Sequence, residues 1–200
     1  MPIQFATLVG ERMFKKPSIF TASEVRDIII SLIALAFIFS YPEIFSDPYQ
    51  IIFYIVVVGL AFIGHELSHK FAAIKLGYYA GYKMWVEGLV LALLFAILTN
   101  GNIVFAAPGA VIFYHSIFKY PKRKEIGLIG LAGPLFNIAL FSIFLFTPFK
   151  SIAFINGWLA LFNLIPFGPL DGNKVIRWSW KIWLICIILI VVGFFYLFLG

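Results

Sequence analysis

Residues 51–69 read IIFYIVVVGLAFIGHELSH, an apolar run that carries no charge until Glu66 and closes on His65-Glu66-Leu67-Ser68-His69. Two imidazoles four residues apart lie on one face of a helix and can share one zinc ion, with the carboxylate beside the first placed as a general base. Two His and one Glu are costly in hydrocarbon, so in a membrane span such residues face a cavity and carry function. The bland alternative is a chance match to a short motif. The membrane setting counts against it, because it makes an idle match expensive.

The rest of the chain has the same solvent preference. Of its 200 residues 62% are hydrophobic and only 12% charged, about half the charged share of soluble domains. Such a chain is a polytopic membrane protein, with little room for a separate soluble module once several spans of about 20 residues are subtracted. Ile28 to Phe39 follows a long charged segment and lacks a small-residue cleavage site, so it reads as a retained span and not as a signal peptide. The single cysteine, Cys186, excludes an intrachain disulfide and is expected only to pack.

Apolar stretches are expected to span near residues 25–41, 49–76, 126–147, 151–169 and 180–199. Val86 to Thr99 is apolar but short, and the turn signal Asn100-Gly101-Asn102 follows it. Ile103 to Ala107 and Ala110 to Tyr114 flank Pro108-Gly109 and read as a β-hairpin. Open strands cannot face lipid, so this hairpin is expected to be sheltered or to line a wet cavity over the metal residues. The expected architecture is an all-α membrane bundle of about five to six transmembrane helices with a small β-hairpin. Residues 1–200 form one domain, with a core near 49–173 and a re-entrant β segment near 84–118. The alternation at Ile3, Phe5, Thr7 and Val9 fits either a further strand of that sheet or an amphipathic surface segment.

Basic residues set an expected orientation. Arg12, Lys15, Lys16 and Arg26 precede the first span, and Lys70, Lys75 and Lys83 follow the motif. Lys119, Lys122, Arg123 and Lys124 precede the third stretch, and Lys174, Arg177 and Lys181 the last, leaving only Lys150 on the opposite side. The basic side, with the N-terminus and the motif, should be cytoplasmic in a multi-pass protein of the cell membrane. The net charge of +6 is then topology, and no nucleic-acid partner is implied.

A catalytic zinc needs a third protein ligand. Entering near Tyr49, the second span reaches His65 after sixteen residues, about 24 Å. Entering near Ser151, the fourth reaches Asp171 after twenty, about 30 Å if it is helical throughout. The similar depth makes Asp171 the expected third ligand, against the alternative that it only caps a helix at the surface. Glu87 and His115 are the rival ligands.

Three pieces in order resemble the site-2 protease family of intramembrane zinc metalloproteases, in a compact archaeal form. They are His65-Glu66-Leu67-Ser68-His69, then Gly133-Pro134-Leu135-Phe136-Asn137, then Asn163-Leu164-Ile165-Pro166 with Leu170-Asp171-Gly172. They span residues 65–172, about half the chain. The resemblance implies one Zn2+ per chain held by His65, His69 and Asp171, with Glu66 as base. It also implies a membrane-embedded β segment after the first motif, and a transmembrane segment of another protein as substrate.

Asn163 is a candidate oxyanion donor, since an amide deep in a span demands a partner and Asp171 would lie two turns further along the same helix. An interhelical bond is its equal alternative. Asn137 leans to that structural role, beside the small-residue face of Gly130, Ala132 and Gly133. Pro134 and Pro166 should kink or end their helices. A metal-binding transporter or sensor, or a catalytically inactive scaffold, would fit the composition as well. A transporter would favour more polar residues along the bundle, and a scaffold would not need Glu66.

Overall fold

Local signals in the chain start one helix, at Thr21, and stop the next, at Gly77. The computed structural model describes residues 19–102, 104, 108–114 and 120–199. Helix α1 (Ala22–Ser40) begins on Thr21, whose Oγ1 accepts the Glu24 N–H at 3.2 Å, a side-chain cap that satisfies one free amide of the first turn. A 3-10 turn (Glu43–Phe45) leads into α2 (Gln50–Lys75). That helix ends as the chain turns through Gly77, at φ 83°, a conformation that costs a glycine little. Then come β1 (Tyr79–Met84), α3 (Val86–Leu98), β2 (Gly109–Tyr114), α4 (Arg123–Phe144), α5 (Lys150–Asn163), α6 (Asp171–Trp178) and α7 (Trp180–Leu199).

The fold is mostly helical, as expected, and it is that of a membrane protein. Three helices, α2, α4 and α7, are long and apolar enough to cross a bilayer. The other two expected spans differ in detail. Helix α1 has 19 residues but carries Glu24, Arg26 and Asp27 in its first turns. Helix α5 has 14 residues and stops at Asn163, short of the expected 151–169, because Pro166 cannot continue the hydrogen-bond ladder. Residues 164–170 leave the helix, and Asp171 opens a new one. Asn163 and Asp171 therefore belong to different helices, contrary to the expectation of one.

Helix α4 is the hub, packed against α2, α5, α6 and α7. One apolar core joins Leu35 of α1, Val57, Val58, Ala61 and Phe62 of α2, Tyr82 of β1, and Ile155 and Leu159 of α5. A second gathers Ile138 and Phe141 of α4 with Ala160, Val175, Cys186 and Ile190. Cys186 packs there as a small apolar group.

The described sheet is two-stranded and antiparallel, as expected, with a partner strand other than the expected one. β2 is formed by the second expected arm, but its antiparallel partner is β1, with Tyr79 opposite Tyr114 and Met84 opposite Gly109. Of the other expected arm, Ile103 and residues 105–107 lie outside the described residues, as do the alternating residues of the N-terminus. The connection between the strands carries the whole of α3, and it closes with the Trp85 N–H donating to the Pro108 carbonyl at 2.9 Å. Gly81 and Lys83 dilute the local β signal of β1. Its pairing comes from β2 on one side and from α1 on the other, where Tyr82 N–H donates to Glu24 Oε1 at 2.9 Å and Met84 N–H to Asp27 Oδ2 at 3.3 Å.

Candidate metal centre

His65 and His69 sit one turn apart on α2, both buried, and Asp171 meets them from the first residue of α6. Close packing of the chain behind Asp171 makes this possible. A Cβ added to Gly172 would fall 2.0 Å from the Leu164 carbonyl oxygen, so only glycine lets the start of α6 press on the end of α5.

Hydrogen bonds fix both rings. Asn137 Nδ2 donates to the Ala61 carbonyl at 3.0 Å and to Asn156 Oδ1 at 2.9 Å, which turns its Oδ1 towards His65 Nδ1 at 2.5 Å. His69 Nδ1 faces the Ile129 carbonyl at 2.6 Å. Both partners are acceptors, so both Nδ1 atoms carry the proton and both Nε2 atoms present a lone pair. Those Nε2 atoms are 3.0 Å apart, and Asp171 Oδ2 is 3.3 Å from His65 Nε2 and 2.9 Å from His69 Nε2.

Three lone-pair donors converging in a buried site repel one another unless a cation lies among them. Two imidazoles and a carboxylate are a zinc donor set, and bonds of about 2.0–2.1 Å in a tetrahedron place ligand atoms roughly 3.3 Å apart, close to the spacing here. The space is kept open by Gly133 of α4. A Cβ there would lie 2.3 Å from His69 Nε2 and 2.6 Å from His65 Nε2. The residues therefore fit the metal, and among the described residues they form the group able to hold one.

Lys174, one turn along α6, donates to the other oxygen of Asp171, Oδ1, at 2.8 Å. This leaves Oδ2 for the imidazoles. In the sequence Lys174 stands out only as a topological charge, although an Asp and a Lys three residues apart on a helix are natural partners. Asn156, fully buried on α5, is a further functional residue outside the expected set. The signal for it was an amide in an apolar helix.

Glu66 is buried, and its Oε2 has no hydrogen-bond partner. A cavity of about 430 Å³ joins it to His65, His69, Asp171 and Lys174. Asn163 lines the same cavity from the last turn of α5, while its Nδ2 donates back to the Leu159 carbonyl at 2.9 Å. Asn137, expected to be structural, binds His65 directly. Of the rival ligands, Glu87 is exposed near the start of α3, and His115 lies outside the described residues.

Strand β2 forms one wall of the cavity through Gly109, Ala110, Val111 and Ile112. The amides of Tyr82 and Met84 point away from β2, towards α1. Tyr82–Val111 and Met84–Gly109 are therefore the non-bonded pairs of the ladder. It follows that the N–H and C=O groups of Gly109, Val111 and Phe113 point to the other edge of β2, which is free of any strand among the described residues, and Val111 lines the same cavity as Glu66.

No family model matches the chain, and no solved structure matches it. Among curated proteins it is 40% identical over 178 residues to "Putative zinc metalloprotease MJ0611" of Methanocaldococcus jannaschii, an alignment covering 83% of this chain and 90% of that protein. With the donor set and its buried carboxylate in place, this likeness makes the chain a member of the same family as that archaeal zinc metalloprotease homologue.

Proposed function

We propose that the chain is an intramembrane zinc metalloprotease of the site-2 protease type, cutting peptide bonds within transmembrane segments of other membrane proteins. The observation that carries this reading is the convergence of three lone-pair donors beside the buried, partnerless oxygen of Glu66. His65, His69 and Asp171 would hold one zinc per chain, with Asn137, Ile129 and Lys174 orienting them. When bound, the metal supplies Lewis acidity, which acidifies water and polarises a carbonyl.

Glu66 does the proton work. It accepts a proton from the attacking water and delivers it to the amide nitrogen of the breaking C–N bond, so that one water and one peptide bond become a carboxyl and an amine. Asn163 Nδ2 carries a second N–H beyond the one given to Leu159, and that N–H is the candidate donor to the developing oxyanion. A helical peptide bond is shielded by its own hydrogen bonds, so the substrate unwinds and pairs with the free edge of β2. Membrane lipid surrounds the bundle. The N-terminus and the site face the cytoplasm, as the distribution of basic residues suggests.

The deciding experiment uses the full chain with a single-span membrane protein whose helix contains glycine. Wild type should hold about one zinc and yield two fragments cut within the span, and His65→Ala should lose the metal. Glu66→Gln should keep the zinc and lose at least about 10²-fold in rate. Cleavage by Glu66→Gln as fast as by wild type sinks the protease reading and leaves a metal transporter or sensor. Equal zinc in wild type and His65→Ala sinks the site.

A further inference from the structure

Outside the metal centre, the best-buried charges in the described chain are Lys70 and Glu24, at 1% and 5% exposure. Lys70 follows His69 directly and donates to both carboxylate oxygens of Glu24, at 2.5 and 2.6 Å, with its ammonium 4.0 Å above the Phe20 ring. An ion pair buried this deeply gains little net stability, because desolvation offsets the attraction. Its value lies in what it fixes. Glu24 Oε1 also accepts the Tyr82 N–H, and Tyr82 stands opposite Val111, which lines the cavity together with Glu66.

One carboxylate thus joins the helix that carries both His ligands to the strand that backs the cavity wall. One turn along α1, Asp27 repeats the arrangement. Its Oδ2 accepts the Met84 N–H while Arg26 holds its Oδ1. The two acidic side chains occupy the outer edge of β1 where another strand would pair, so among the described residues the unpaired edge of the sheet is that of β2, the strand that lines the cavity.

We propose that Glu24, held by Lys70, is a positioning residue that sets the β1–β2 sheet in register with the metal-binding helix, so that β2 presents its edge to a substrate strand above Glu66. This rests on the reading of β2 as the docking edge. Its contribution is to substrate binding, since neither residue reaches the reacting atoms.

The test compares two double variants of the full chain in detergent. Glu24→Leu with Lys70→Met removes both charges without stranding either one, so fold and zinc content should persist, but Tyr82 N–H loses its acceptor. Amide exchange across 79–84 and 109–114 should quicken about tenfold while α2 and α4 stay slow. KM for the single-span substrate should rise about tenfold, with kcat within about threefold of wild type. Glu24→Gln with Lys70→Met keeps a neutral acceptor and should restore slow exchange and the original KM.

Wild-type exchange and KM in the Leu/Met variant, or no recovery in the Gln/Met variant, overturns the proposal. Should the Leu/Met variant fail to fold, Glu24→Asp takes its place. It keeps the charge opposite Lys70 but withdraws the acceptor by one methylene, so exchange in β1 and KM must rise with zinc unchanged, and unaltered values again overturn the proposal. The exchange measurement needs no cleavage. A wild type that cuts nothing therefore refutes the protease reading alone, while an active enzyme indifferent to these substitutions refutes this one alone.

Discussion

Asn137 Oδ1 meets His65 Nδ1 at 2.5 Å, on the edge of the ring opposite the Nε2 that faces His69 and Asp171. The amide cannot be reversed, because its Nδ2 is committed to the Ala61 carbonyl and to Asn156. A side chain on α4 thereby dictates which nitrogen of a ring on α2 carries the proton, and leaves the other free for a metal.

Asn137→Leu should therefore weaken zinc binding about 10- to 100-fold, measured by competition with a chelator, although the residue touches no metal. Asn156→Leu should weaken it less, since Asn137 would keep its bond to Ala61. Zinc affinity unchanged in Asn137→Leu would show that the ring is oriented by packing alone.

Gly133 gives a steric test. Alanine is the better helix former by up to about 1 kcal/mol, so Gly133→Ala should leave α4 and the fold intact. Its methyl would nevertheless occupy the space among the two Nε2 atoms. Metal analysis of the purified variant should find little zinc at a melting temperature near that of metal-free wild type. One zinc per chain in Gly133→Ala would place the metal elsewhere.

The metal residues were legible in the sequence because their chemistry is local. His65, Glu66 and His69 stand on one helical face, and an acidic residue at matching depth singled out Asp171. What joins them was harder to read. A helix running through residue 170 would bring Asp171 to that depth, whereas Pro166 ends it early, and Asp171 comes to the imidazoles through the tight approach at Gly172. β1 was missed because Gly81 and Lys83 mask its β propensity and its partners lie far off in sequence, at Glu24, Asp27 and 109–114. Long-range pairing of that kind leaves no periodic trace in a single chain.

Asn163 now has a sharper test than its sequence position offered. It lines the cavity on a different helix from Asp171, and one of its amide hydrogens is committed to Leu159. Removing an oxyanion donor costs about 10²–10³-fold in kcat with substrate binding little changed. Asn163→Ala should show that loss in steady-state kinetics, with zinc and KM near wild type. A change in thermal stability at unchanged kcat would reduce the residue to a cap on the end of α5.

The free edge of β2 can be tested by proline, which removes one N–H and little else on an edge strand. Val111 belongs to a non-bonded pair of the ladder, so its N–H makes no bond to β1 and points to the edge of β2 that is unpaired among the described residues. Ile112 is the next residue, and its N–H faces Gly81 within the sheet. Val111→Pro should therefore keep the sheet, the fold and the zinc while losing one substrate hydrogen bond, raising KM about tenfold. Ile112→Pro should break the ladder, seen as faster amide exchange across residues 79–84. The contrast between neighbours is the decisive part. If both prolines perturb exchange alike and neither changes KM selectively, the substrate does not bind as an added strand on β2.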